Sequence, residues 1–271
     1  MVDASGQKLG TLRSVAEEPA IALHQSFETV GSRDYRATVY WPKDFRAGER
    51  YPVILSVYGG PHSNQVTRAR NRGLLNQWFA DRGFIVASLD GRGTPRRGRA
   101  WERTIRGDLI AVPLADQVDG LRALAGRHPE MDLGRVGVYG WSFGGYFSAM
   151  ATLRRPDVFR AGVAGAPVVD WRDYDTYYTE RYMDLPELNP RGYAAASVLT
   201  YADRLERPLL VLHGTVDDNV YFMNSMKLVD ALFRAGKPFE FVPLSGLTHM
   251  VPDPLVISRL YGRIATFFER I

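Results

Sequence analysis

A serine held between glycines is where this sequence offers chemistry. The stretch Gly140-Trp141-Ser142-Phe143-Gly144-Gly145 has the G-x-S-x-G spacing of a sharp strand-to-helix turn that projects a hydroxyl. The glycines have a steric reason to be there, because side chains flanking so tight a turn would strike the adjacent strand and helix. A glycine-rich turn with a bystander serine would read the same way, so the flanks matter. Arg135 to Tyr139 alternates apolar residues and predicts a short buried strand. Gly145 to Leu153 predicts a helix.

A serine hydroxyl is a weak nucleophile until a base takes its proton, and the base needs an acid to fix its tautomer. Five histidines are available: His24, His62, His128, His213 and His249. His249 lies in Leu247-Thr-His-Met-Val251, between the last predicted strand and the closing helix, and is the expected base. His213, tucked between a strand and a glycine, reads as a structural histidine. The acid should follow the strand that ends at Leu212. There the loop Gly214-Thr-Val-Asp-Asp-Asn-Val220 offers Asp217 and Asp218 side by side, and spacing alone leaves the choice open. Serine, acid and histidine follow one another in the order such sites require.

The elements that must position these residues alternate between strand and helix. Strands are predicted at 35–41, 52–58, 84–89, 135–139, 160–164, 209–212 and 239–244. Helices are predicted at 74–82, 114–127, 145–153, 221–235 and 254–271. That alternation predicts an α/β fold with a mostly parallel central sheet and helices on both faces. In such sheets ligands gather at the carboxyl ends of the strands, and Tyr58, Ser142, Asp217 and His249 all follow strand ends. Residues 91–107 read as a Gly/Arg-rich loop, and the aromatic-rich stretch to about Thr200 reads as irregular. Residues 1 to about 30 read as a leading stretch outside the compact domain.

A chain of 271 residues, 45% hydrophobic and 24% charged, suits one soluble α/β domain. No apolar run reaches the ~18 residues of a membrane span, and the amino terminus shows no signal-peptide core. No membrane partner is therefore expected, and the compartment stays open. Without cysteine there is no disulfide and no thiol nucleophile. The net charge is +4, and the densest basic stretch holds Arg92, Arg96, Arg97, Arg99, Arg103 and Arg106. No nucleic-acid motif accompanies it, so a solvated or domain-facing loop is expected and no nucleic-acid partner. The residues around Gly91-Arg-Gly93 lack the Gly-Lys-Ser/Thr ending of a phosphate loop. No cluster has metal-ligand spacing, and no cofactor is expected.

Longer motifs then narrow the reading. The stretches Gly140-Trp-Ser-Phe-Gly-Gly-Tyr146, Tyr174-Asp-Thr-Tyr-Tyr-Thr-Glu-Arg-Tyr-Met183 and His213-Gly-Thr-Val-Asp-Asp-Asn-Val220 together resemble the dipeptidyl peptidase IV branch of the prolyl oligopeptidase family. Ser56-Val-Tyr-Gly-Gly-Pro61 and Asp90-Gly-Arg-Gly93 fit the same branch, and the resemblance runs from about residue 30 to the end. It implies the α/β-hydrolase fold and a serine peptidase that releases amino-terminal dipeptides after proline or alanine. It selects Asp217 as the acid. It makes the Tyr58 hydroxyl and the Phe143 backbone N–H the oxyanion hole. It assigns a proline pocket to Val168, Trp171, Tyr174, Tyr178 and Val220, with Phe143 on its wall, and gives Asn219 the carbonyl of the penultimate residue. Taken alone, 168–183 would be an aromatic-rich packing segment. An apolar slot between rings does suit a pyrrolidine.

Two departures stand out. The residue after the nucleophile, usually tyrosine in this branch, is Phe143. The β-propeller that precedes the hydrolase domain in this branch is missing, so residues 1–30 are expected to be the remnant of its last blade and a linker, and 31–271 the hydrolase domain. The implied partners are peptide substrates, a β-propeller and a second copy of the chain. A prolyl endopeptidase, an acyl-peptide hydrolase or an esterase of the same fold is the alternative. An inactive interaction module is a third reading, disfavoured by the intact Ser142, Asp217 and His249. Relatives recognise the substrate's free amine through an acidic pair on the propeller, and here the only Glu-Glu pair is Glu17-Glu18.

Overall fold

The computed structural model describes residues 1–13 and 15–270, and their strands form one eight-stranded sheet. The strands are β1 (Gln25–Val30), β2 (Tyr35–Tyr40), β3 (Tyr51–Ser56), β4 (Ile85–Asp90), β5 (Met131–Trp141), β6 (Ala161–Gly165), β7 (Leu209–Gly214) and β8 (Glu240–Leu244). Across the sheet they lie in the order β1-β2-β4-β3-β5-β6-β7-β8. β1 and β2 are antiparallel, as are β2 and β4, and every pairing from β4 to β8 is parallel. This is the mostly parallel sheet that the sequence predicts.

Successive strand residues point to opposite faces, and the core divides accordingly. Val53, Leu55, Val136, Val138 and Val211 bury into one layer, while Ile54, Val86, Tyr139, Val163 and Leu210 bury into the other. Helices cover both layers: α1 (Arg70–Ala80), α2 (Arg99–Glu102), α3 (Ala111–Arg127), α4 (Phe143–Arg154), α5 (Thr176–Met183), α6 (Pro190–Ala196), α7 (Met223–Arg234) and α8 (Pro254–Phe268). The first layer takes Leu121 of α3, Phe147 of α4 and Leu228 of α7. The second takes Phe79 of α1 and Ile264 and Phe268 of α8. A sheet apolar on both faces needs such cover, and that is why its strands read as apolar runs.

Three expectations change. Residues 91–107 are not a plain loop, since they hold α2 and a 3₁₀ turn over Arg103–Ile105. The buried Ile105 anchors that turn. The aromatic-rich stretch is not irregular either. It carries α5 and α6, with 3₁₀ turns at Trp171–Asp173 and Val198–Arg204. Finally, β1 lies in the leading stretch that the sequence reading set apart, yet all its residues register with β2, from Gln25 opposite Tyr40 to Val30 opposite Tyr35. An edge strand that is mostly half-buried has too weak an apolar pattern to declare itself.

The turn from β5 to α4 fixes the position of Ser142. Its backbone sits at φ 61° and ψ −121°, a region that costs a non-glycine residue about 1–3 kcal/mol. Ser142 N–H donates to the Gly165 carbonyl at 2.8 Å, and the Ser142 carbonyl accepts from Tyr146 N–H at 3.0 Å. A Cβ on Gly140 would lie 2.4 Å from the Gly144 backbone, and one on Gly145 would lie 2.1 Å from the Gly165 oxygen. Both obstacles are main-chain atoms, so no side-chain rotation relieves them. Gly145→Ala is therefore expected to destabilise the fold by about 1–3 kcal/mol. In Gly262→Ala on α8 the new methyl meets nothing within 4 Å, and the change should be neutral or stabilising by up to ~1 kcal/mol. Urea unfolding of the two variants checks this, and equal midpoints would remove the steric account of the turn.

Candidate active site

Three strand ends bring the candidate residues together. Tyr58 follows β3, Ser142 follows β5, and Asp217 follows β7, while His249 lies between β8 and α8. Because β3, β5 and β7 are parallel members of one sheet, their carboxyl ends share an edge.

Asp217 is the centre of the polar arrangement. Its side chain is buried, and its Oδ1 accepts the N–H groups of Asn219 and Val220, both at 2.9 Å. Its Oδ2 lies 2.7 Å from His249 Nδ1. An ionised carboxylate can only accept, so Nδ1 carries a proton, and in the neutral imidazole Nε2 is the nitrogen with the lone pair. Burial pushes the Asp217 carboxyl up, but hydrogen bonds from His213, His249 and the Asn219 backbone outweigh it and hold it well below the usual carboxylate range. Asp217 is thus ionised and oriented, as the partner of a neutral imidazole must be.

The histidine loop is tied to the serine turn by a side chain bonded to its backbone. Trp141 Nε1–H donates to the His249 carbonyl at 2.8 Å, and Trp141 immediately precedes Ser142. The loops after β7 and β8 are joined as well, Val216 N–H to Leu247 O at 3.2 Å and Gly246 N–H to Thr215 Oγ1 at 2.9 Å. Among the described residues no hydrogen bond links the Ser142 hydroxyl to His249. Serine–imidazole contacts of this kind often tighten only with substrate.

Two donors flank the serine. Phe143 opens α4, and the N–H groups of a helix's first turn have no partner inside the helix. Tyr58 packs its ring 5.6 Å from that of Phe143. Burial, with Tyr174 and Tyr182 nearby, pushes the Tyr58 hydroxyl up to about 12, so at neutral pH it keeps its proton and can donate.

An aromatic cluster adjoins these groups. Trp171 and Tyr178 stack at 5.8 Å and 12°, and Tyr174 stands edge-on to both, at 5.8 Å and 5.3 Å. Phe143 closes on Trp171 at 5.6 Å. Val168 and Val220 are buried in the same apolar layer. The Tyr174 hydroxyl donates to Asn219 Oδ1 at 2.9 Å, which connects the cluster to the Asp217 loop. From Tyr58 to His249, the ring and hydrogen-bond contacts run through Phe143, Trp171, Tyr174, Asn219 and Asp217, with Tyr178 stacked on Trp171, and Trp141 joins His249 to the turn that carries Ser142.

Two further histidines border these groups. His213, read from the sequence as structural, is fully buried against Asp217. Its Nε2 lies 3.1 Å from Asp217 Oδ2 and 2.8 Å from the Val220 carbonyl. Both neighbours are acceptors, so Nε2 carries the proton. Nδ1 meets the Ser225 hydroxyl at 2.7 Å. The only signal was its place four residues before Asp217. The other is His62, held in a left-handed backbone with φ 73°. Its Nε2 lies 2.5 Å from the Tyr182 hydroxyl, and its ring lies 5.5 Å from that of Tyr178.

Comparison with known proteins identifies the family. Residues 73–271 match the prolyl oligopeptidase family, and the chain belongs to that family. It is 41% identical over 223 residues to dipeptidyl peptidase 8 of Homo sapiens, covering 79% of this chain and 24% of that protein. The crystal structure of Porphyromonas gingivalis dipeptidyl peptidase 4 superposes with a TM-score of 0.84 at 34% identity, covering 92% of this chain and 35% of that one. A crystal structure from Bacteroides ovatus superposes with a TM-score of 0.89 at 32% identity, over 99% of this chain and 39% of that one. The chain thus spans about a quarter of the human relative and little more than a third of the two solved chains. The fold is the α/β-hydrolase fold that the sequence predicts.

The His213 contact yields a test with a definite sign. Asp217 is depressed in the folded state, so its ionised form contributes stability in full above the usual carboxylate range, and that stability is lost as pH falls from there through its lower native value. His213→Leu removes one buried donor and should cost about 1–3 kcal/mol at neutral pH. The difference from the parent should narrow as pH falls from about 5 through the depressed native value of Asp217, below the usual carboxylate range. His213→Gln retains a donor and should recover part of the loss. Urea unfolding across that range decides it: a pH-independent loss would make His213 mere filling.

Proposed function

We propose that this chain is the catalytic part of a serine peptidase that releases amino-terminal dipeptides after proline or alanine through an acyl-enzyme. The observation that carries the proposal is the Asp217–His249 contact at 2.7 Å, anchored by Trp141 beside the turn that exposes Ser142. In this reading Ser142 Oγ attacks the carbonyl of the proline, and its proton passes to His249 Nε2. Asp217 holds Nδ1–H and stabilises the imidazolium. The oxyanion is received by Phe143 N–H and the Tyr58 hydroxyl. Collapse expels the amine, which takes the proton from His249, and water then hydrolyses the ester by the same steps.

The aromatic cluster supplies specificity. Trp171, Tyr174 and Tyr178 with Val168 and Val220 offer a rigid apolar slot for a pyrrolidine ring. Asn219, held by Tyr174, is available to the penultimate carbonyl. The relatives are longer than this chain, and we read the residues before β1 as a connection to a β-propeller. Peptides and a second copy of the chain complete the proposed partners. Comparing a proline-anilide with a simple acetate ester separates this reading from an esterase. A serine-directed phosphonate that fails to label the protein would argue for a non-catalytic module.

Ser142→Ala is expected to abolish proline-anilide turnover while leaving the unfolding transition in place. Residual cleavage within about tenfold of the parent would sink the nucleophile assignment. Tyr58→Phe should lower kcat by about 10²–10³ with KM little changed, as for the loss of one oxyanion donor worth ~2.7–4 kcal/mol. A raised KM with kcat unchanged would make Tyr58 a substrate-binding residue instead.

A further inference from the structure

The loop that follows Tyr58 joins one side of the site to the other. It passes over Phe143 so closely that a Cβ on Gly60 would lie 2.3 Å from the Phe143 ring. Gly60 and Pro61 are buried, and the chain reaches the surface at His62. Its return is fixed by Asp90, the buried last residue of β4. Asp90 Oδ1 accepts from Gln65 N–H at 2.8 Å, and Oδ2 accepts from Val66 N–H and from Asn64 Nδ2–H, both at 3.1 Å. A carboxylate bound by donors from three consecutive residues leaves this loop little freedom.

His62 carries the strain of that anchoring. Its backbone is left-handed at φ 73°, a conformation that is costly for a residue with a side chain and persists only where the surroundings enforce it. Core packing does not account for it, because His62 is exposed. What the conformation achieves is a set of contacts with α5. Nε2 lies 2.5 Å from the Tyr182 hydroxyl, and the ring lies 5.9 Å from that of Tyr182, edge-on, and 5.5 Å from that of Tyr178. Tyr178 and Tyr182 stand one turn apart on α5, their rings 5.0 Å from each other. The helix itself is held by the buried Thr179 and Met183 and by Gly107 N–H, which donates to Tyr182 O at 2.7 Å. Tyr178 is therefore in contact with Trp171 within the aromatic cluster and with His62 outside it.

We propose that His62 is a positioning residue: through Tyr182 it fixes Tyr178 in the proline slot, and so sets the preference for proline over alanine. His62 lies four residues after Tyr58, and the ring that the loop crosses between them, Phe143, borders the same slot. One loop thus governs both the oxyanion donor and the separation of the slot's walls. A pyrrolidine ring gains from rigid apolar walls on its faces, whereas an alanine methyl touches too little of them to depend on their spacing. This rests on the proline-pocket reading above and adds the group that holds the pocket's width.

A double-mutant cycle read with Gly-Pro-anilide and Gly-Ala-anilide tests it. The parent should prefer proline by at least about tenfold in kcat/KM. His62→Gly and Tyr182→Phe should each reduce that preference about three- to tenfold, the range for one lost hydrogen bond. The double variant should lose no more than the larger single loss. The urea midpoint of His62→Gly should hold or rise, because glycine relieves the left-handed backbone. An unchanged preference in either single variant, additive losses, or a loss that comes with a lowered midpoint overturns the positioning role and leaves the pocket reading standing. A parent that cleaves neither substrate, or shows no preference for proline, removes the pocket reading and this role together.

Discussion

The site depends on one backbone constraint, the left-handed conformation of Ser142 between β5 and α4. That conformation is unfavourable alone and persists because its surroundings allow nothing else. Gly140, Gly144 and Gly145 let three pieces of main chain close around it, and each hypothetical Cβ would fall within 2.4 Å of backbone on Gly144, Val57 or Gly165. Those contacts come from the turn's own helix, the end of β3 and the end of β6. The projecting serine is therefore a property of the assembled sheet, and no isolated strand–helix unit would present it.

The same dependence governs the polar partners. Asp217 receives four donors, two from its own loop and two from His213 and His249. Two imidazoles meet one carboxylate oxygen, and they do different work. His213 is fully buried and has acceptors on Nε2 and a hydroxyl on Nδ1, which fixes it as a donor. His249 is nearer the surface, and among the described residues its Nε2 has no hydrogen-bond partner. A buried carboxylate without such donors would be driven toward the neutral acid, and a neutral acid could not hold His249 in the tautomer that accepts a proton.

Ser142, Asp217 and His249 were legible because each stands just past a strand or in a loop with few competitors, and chain order reduced the choices further. The buried strands were legible for the reason they are buried, since both faces need apolar side chains. The boundaries were less so: α1 begins at Arg70, four residues before the apolar spacing announces it, because its first turn is polar and exposed. The segment 91–107 misled through composition. Glycine and arginine suggest a solvated loop, while its fold is set by Trp101, Thr94 and Ile105 packing inward. His213 was read as structural and is buried, but its partner Asp217, four residues on, shows only once the loop after β7 has turned back on the strand.

Charge is distributed in zones around the serine. On the β7 side one buried carboxylate is saturated by donors. In the middle the aromatic cluster carries no formal charge, and burial keeps the hydroxyls of Tyr58, Tyr174 and Tyr178 protonated. On the β3 and β4 side Arg99, Arg103 and Arg181 line a cleft and, among the described residues, have no ion pair. A low-dielectric middle zone strengthens the field that reaches it from both sides. In the proposed reaction the oxyanion would be received in that uncharged middle zone, between a saturated carboxylate on one side and unpaired cations on the other.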